Sequence, residues 1–312
     1  MMDEVWSGTA RKFTALGGLL IGVAALVVAR DSPEYSFSAG SPASLVVGFA
    51  AGASLVAAGI LSSDAPQTGR FGVALAAAGI AWFLLEFDNP GAGAAAVFAV
   101  GLVLHAACPP LLAHALFAYP ARTPRRPEVV ILAAGYVIAL VPLGILPAIA
   151  FDPETQGCAL CPGNPLAVRA MPDVLTWSLN AGSVSLIGWV LAVSVLLGRR
   201  LTSATVAARL RLSPVLLPGL VYVGLAGAWF WNGLGPGFPG TDPTGRLLWH
   251  LQALALLAVA AGTAVVRVRR WRTRTAVGRL VVEATQAGSG ELREALAHLL
   301  KDPSLAILFP LA

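Results

Sequence analysis

The charged residues of this chain lie between its apolar runs, and the basic ones crowd onto alternate connections. Eight segments are long and nearly free of charge: 13–29, 43–61, 71–87, 94–118, 129–151, 174–197, 214–232 and 246–266. Each has about 17 to 25 residues, the length that crosses a hydrocarbon layer ~30 Å thick at 1.5 Å per residue. Lipid offers the backbone no hydrogen-bond partner, so each run must satisfy its own amides as a helix. These features predict an all-α polytopic membrane protein, a bundle of eight transmembrane helices, with the lipid bilayer as its solvent.

The arginines then predict an orientation. One set of connections carries Arg11 and Lys12, Arg70, Arg122, Arg125 and Arg126, then Arg199, Arg200, Arg209 and Arg211, and finally Arg267 onward. The opposite set holds only Arg30, Arg169 and, at a helix edge, Arg246. By the positive-inside rule the protein is multi-pass in the cell's inner or plasma membrane with both termini cytoplasmic. A mean hydropathy of +0.76 with 12% charged residues excludes an ordinary soluble domain, in which roughly a quarter are charged. The formal charge of +5 follows from this placement of arginine and gives no reason to expect nucleic acid as a partner. The first run resembles a signal peptide, with Arg11 and Lys12 ahead of it, but its length favours an uncleaved anchor.

Three regions are expected: a membrane domain over 1–266, a basic juxtamembrane linker over 267–275, and the start of a cytosolic domain over 276–312. In the last, 289–302 reads as an amphipathic helix and 304–309 as a buried strand, a short α/β fragment too small to form a core alone. The chain therefore reads as cut within a larger domain. Within the membrane region, Gly18/Gly22 and Gly48/Gly52 show the small-xxx-small spacing that lets helices approach closely, inside a bundle or across a dimer. Pro109 and Pro110, Pro142 and Pro147, and Pro218 should kink their helices by removing backbone donors.

Candidate sites are few. Cys158 and Cys161 share a loop on the arginine-poor side, where oxidation is permitted. A local disulfide is the first reading and a redox-labile pair the second; a zinc site lacks further Cys or His in this loop. Trp177, Trp229, Trp231 and Trp249 gather at the arginine-poor ends of the last three runs. They read as interfacial anchors or as the wall of a ligand pocket. His105 and His114, nine residues apart on one predicted helix, point to opposite faces, while His105 and Cys108 share one. His250 has no local partner. Glu86 and Asp88 read as ordinary carboxylates at a water interface. Arg267, Arg269, Arg270, Arg272 and Arg274 form a juxtamembrane anchor against anionic lipid. No cluster suggests a catalytic or metal site, and sparse intramembrane charge argues against a coupled transporter; a polytopic permease or channel, or an integral membrane protein of another role, is the alternative function.

Two stretches carry a family resemblance. The loop from Phe151 to Asn164 (FDPETQGCALCPGN), and Leu280-Val-Val-Glu283 followed by Glu291 to Leu305 (ELREALAHLLKDPSL), resemble the outer loop and cytosolic junction of membrane-bound sensor histidine kinases common in actinobacteria. The resemblance implies a sensor module feeding a GAF-like domain and then a kinase core, a homodimeric assembly and a response regulator as partner. It implies ATP and magnesium only in that core. No phosphoacceptor, asparagine or glycine-rich nucleotide box stands in this sequence, and His298 lacks the acidic residue that follows a phosphoacceptor. The resemblance therefore implies an input and anchoring half without catalytic machinery.

Overall fold

The computed structural model describes residues 8–63, 68–155, 158, 160–234 and 242–286. It divides into two compact units, Met1–Thr263 and Ala264–Ala312. All regular structure among the described residues is helical. The expected helix at 289–302 and strand at 304–309 lie outside them. The elements are α1 Gly8–Asp31, α2 Pro42–Ser62, α3 Gly69–Leu84, α4 Ala95–Leu104, α5 Cys108–Ala118, α6 Arg126–Leu140, α7 Leu146–Ala150, α8 Pro172–Thr202, α9 Val206–Asn232 and α10 Pro243–Gln286. A 3-10 turn extends α3 to Phe87, and a π turn, Val141–Ile145, joins α6 to α7.

Seven of these helical stretches are long and apolar enough to cross a membrane, eight if α4 and α5 together form one span. The outer surface agrees with lipid as the solvent. Phe13 and Leu20 on α1, Val130 and Val137 on α6, Val184 and Leu191 on α8, and Val221 on α9 are all more than half exposed. Such a belt of large apolar side chains on a water-soluble protein would drive aggregation. The chain is an integral membrane protein by these measures.

The bundle is centred on α3, 67% buried over its apolar window against 28% for α1 and α6. Its sequence explains this, because a helix of Gly and Ala presents almost no side-chain bulk and lets α2 and α5 close on its backbone. Gly22 and Gly52 both abut the Phe83 ring of α3, and Gly48 abuts Trp249 of α10. The small-residue stripes of α1 and α2 are thus occupied within the chain.

The kink expected in the fourth run is a break in the structure, which divides it into α4 and α5 with a 52° bend. Pro109 and Pro110 are the reason. Neither can donate to the carbonyl four residues back, and each ring crowds that carbonyl, so the helix fails at His105 and Ala106. Pro142 acts more mildly: Leu146 donates to Val141 five residues back, forming the π turn. Pro214 and Pro218 are absorbed inside α9 without a break.

At the arginine-rich end of the bundle, guanidinium groups cap helix C-termini, where unpaired carbonyls and the helix dipole favour a cation. Arg200 of α8 donates to the carbonyls of Leu116 (3.0 Å) and Phe117 (3.4 Å), and also to that of Tyr119, all at the end of α5. Arg209 donates to Leu201, Thr202 and Ala204 at the end of α8. Basic residues grouped here by topology are therefore also structural ties between helices.

Candidate functional site

At the opposite end of the bundle two connections fold inward over the helix ends. The first, between α1 and α2, is pulled down by its serines. Ser36 Oγ donates to Glu86 Oε2 at 2.7 Å and accepts from the amides of Ser38 (3.1 Å) and Ala39 (3.2 Å). Glu86 is only 7% exposed, so it is not the solvated carboxylate its position at the end of a helix suggests. The polar loop 32–41 covers it and supplies the bond to Oε2, while Oε1 is buried with no hydrogen-bond partner among the described residues. The same fold drives Phe37 into the bundle, edge-on to Trp229 at 5.6 Å.

The second connection follows α7. Asn164 Nδ2 donates to the carbonyls of Ala148 (2.7 Å) and Phe151 (2.8 Å), satisfying the last turn of α7. The amides of Val168 and Met171 donate to Ile149 and Ala150. Cys158 and Cys161 lie in this loop, joined by a disulfide with Cα atoms 5.4 Å apart.

Beneath the two connections is a cavity of about 440 Å³. That volume falls within the range of small-molecule sites, roughly 300–1,000 Å³. Aromatic rings from three parts of the chain reach it, Tyr35 and Phe37 of the first connection, Phe98 of α4 and Phe151 after α7, and the disulfide forms part of its rim. Glu34, Asp88 and His105 are its ionisable groups, with no Lys or Arg among the described lining residues. Asp88 and His105 come together because Gly101 of α4 lies directly on the backbone of Phe87 and Asp88; a Cβ there would overlap both. Burial pushes the Asp88 carboxyl above its ordinary value, and the neighbouring His105 partly offsets that rise. His105 Nδ1 lies 3.0 Å from the Leu102 carbonyl, which can only accept, so Nδ1 carries the hydrogen and Nε2 is the nitrogen that can take a proton.

Deeper in the bundle His105 also lines a void of about 20 Å³ with Trp82, Cys108, Tyr222, Trp229, Trp249 and Gln252, too small for more than a water molecule. Cys108 is a buried thiol hydrogen-bonded to Tyr222. The four tryptophans sit in two different settings. Trp177 and Trp231 are 65% and 68% exposed, on the perimeter, whereas Trp229 and Trp249 are buried. Trp249 stacks on Trp82 with centroids 5.4 Å apart, and Trp82 Nε1 donates to the Gly48 carbonyl. Neighbouring positions at one depth, such as Trp229 and Trp231, point about 200° apart around a helix, and depth alone could not separate them.

The remaining histidines have structural partners. His114 Nδ1 lies 2.9 Å from the Tyr136 hydroxyl. His250 Nδ1 lies 2.6 Å from the Arg246 carbonyl, and Ser44 Oγ donates to its Nε2 at 2.7 Å, a tie between α10 and α2 spanning 206 positions. Arg267, Arg269 and Arg272 are exposed on α10; Arg270 and Arg274 fall on the same helix, with their side chains outside the described residues. Among the described residues no three His, Cys, Asp or Glu side chains converge as a metal site.

The composition of the cavity was not legible from the sequence, because its residues come from the first loop, the end of α3, α4, α7, the loop after α7 and α8. The nearest signal was the pair Glu86 and Asp88, two closely spaced carboxylates at the end of an apolar run. No protein-family model, curated protein or solved structure matches this chain.

Proposed function

We propose that this chain is the membrane-embedded input module of a receptor of the sensor-histidine-kinase type, and that its stimulus is an apolar amine received in the cavity beneath the disulfide loop. The cavity carries the reading: about 440 Å³ of space walled by four aromatic rings, with the carboxylates of Glu34 and Asp88 among its described lining residues and no Lys or Arg among them. Aromatic faces and a carboxylate together favour an organic cation, through quadrupole attraction and direct charge pairing. The arginine distribution supports placing this cavity on the outer face and both termini in the cytoplasm.

The output element in this reading is α10, which is tied to the bundle by Trp249 and His250 and runs 44 residues without a break, about twice the length a membrane requires. Ligand-dependent preference for one helix arrangement then alters the attached cytosolic domain in a homodimer. The response regulator is the downstream partner of a kinase core, and ATP and magnesium belong to that core. A coupling of about 1–3 kcal/mol suffices for a several-fold change in output.

One observation favours a second reading. The α4–α5 break places His105 at an interrupted helix beside a cavity, the arrangement by which permeases bind substrate near the membrane centre. The two readings separate in a single preparation. The chain carrying Val268→Cys is spin-labelled, since its native thiol Cys108 is buried, and titrated with hydrophobic amines such as long-chain alkylammonium ions. A receptor gives saturable binding and a changed label spectrum, with no uptake of the amine by proteoliposomes. Saturable uptake with an unchanged spectrum establishes the permease and overturns the input-module reading.

A further inference from the structure

The arginine-rich end of the bundle contains a second built concavity, unrelated to the aromatic cavity. About 610 Å³ of space opens between the segment leading into α6 and the last turns of α8, lined by Arg122, Arg125, Glu128, Leu196, Arg199 and Arg200 among others. Four guanidinium groups face one carboxylate, and that carboxylate is already committed. Glu128 Oε1 accepts from Arg122 Nη2 at 2.9 Å, and its Oε2 accepts from the Arg125 amide at 2.7 Å. Arg122 is thereby held in place with its side chain 25% exposed, and Arg200 is held by the carbonyls at the end of α5. Two cations form an immobilised floor, and the exposed Arg125 and Arg199 stand at the rim.

We infer that this concavity binds the phosphate-bearing headgroup of an anionic phospholipid. Charge complementarity asks for an anion with several oxygens, and guanidinium forks match phosphate oxygens two at a time. The apolar surroundings assign the anion to a lipid. Leu196 and Pro127 line the concavity, and the adjoining turns of α6 and α8 expose Val129, Val130 and Val195, surface suited to acyl chains. Basic pockets between membrane helices on the cytoplasmic side hold anionic headgroups by the same physics. The occupant of this concavity fixes the spacing of α6 and α8, both of which border this end of the bundle.

Native mass spectrometry and thermal unfolding of the whole chain, delipidated and titrated with phosphatidylglycerol or phosphatidylcholine, test the site. The expected result is one retained phosphatidylglycerol molecule and saturable stabilisation, with no equivalent from phosphatidylcholine. Glycerol phosphate and inorganic phosphate at millimolar concentration should fail to compete. Arg125→Gln with Arg199→Gln, both exposed and outside the structural ties, should weaken phosphatidylglycerol binding at least about tenfold. Arg267→Gln with Arg269→Gln should change it less than about twofold. Retention of phosphatidylcholine as readily as phosphatidylglycerol by the unaltered chain overturns the site. So does competition by free phosphate at equal strength, or equal loss in both double variants, which would reduce the effect to bulk charge.

Discussion

Gly101→Ala tests the contact on which the aromatic cavity depends. Gly101 is buried on α4, and a methyl group there meets the carbonyl carbon and oxygen of Phe87 and the amide nitrogen of Asp88, all within overlap distance. These are backbone atoms, so no side chain can rotate away and α4 must move. Overpacking of a tight contact costs about 1–3 kcal/mol, and a rigid backbone neighbour places this substitution near ~3 kcal/mol. At roughly 2–4 °C per kcal/mol for a chain of this size, unfolding in detergent should shift down by about 6–12 °C. Gly224→Ala provides the control, because nothing lies within 4 Å of its added Cβ on the exposed side of α9. There the better helix propensity of alanine should leave stability unchanged or raised by about 0.5–1 kcal/mol. Amine binding should weaken in Gly101→Ala, since separating α4 from Asp88 moves His105 away from it, and persist in Gly224→Ala. Matching unfolding temperatures for the two variants would refute the claim that α4 rests on the Phe87–Asp88 backbone.

Three further outcomes follow from the geometry. The Asp88 carboxyl is raised by burial, so its contribution to stability is fully present below the ordinary carboxylate value, ~3.9, and is lost as pH rises through the higher value in the fold. Asp88→Asn should therefore remove the decline in unfolding temperature across that upward window, and should also remove the fall in amine affinity on acidification through it; a variant that retains both slopes would show another group to be responsible. Arg200→Ala leaves the carbonyls of Leu116, Phe117 and Tyr119 without its guanidinium and should destabilise the bundle by about 2–3 kcal/mol, whereas Arg169→Ala on the exposed loop should cost less than ~0.5 kcal/mol, both read by thermal unfolding. Replacing Cys158 and Cys161 by serine opens a link across three positions, so chain entropy limits the loss to about 2 kcal/mol, while amine affinity, measured by calorimetry, should fall because the pair borders the cavity.

The long apolar helices were readable in the sequence, with ends off by one to eight residues: the runs at 43–61 and 214–232 became Pro42–Ser62 and Val206–Asn232. Solvent is the reason, because twenty apolar residues in lipid have no alternative to a hydrogen-bonded helix. The two prolines that split α4 from α5 were visible as well, and their chemistry places the break, but whether a proline kinks, shifts a helix to π geometry or is absorbed depends on its neighbours. Pro109, Pro142 and Pro218 had the same local signature and gave those three different results. His250 illustrates the same limit, since its partner Ser44 lies 206 positions away.

Hydropathy and charge placement determined that this chain forms apolar helices long enough to cross a bilayer, with basic residues on alternate connections, because those properties are sums over local segments and need no partner. Only the tertiary structure decided that Glu86 is buried, that Trp229 faces inward while Trp231 faces outward, and that Asp88, His105 and four aromatic rings enclose one cavity. Each of those outcomes rests on which helix backbones come close enough to touch, and that is set by side-chain packing between distant segments.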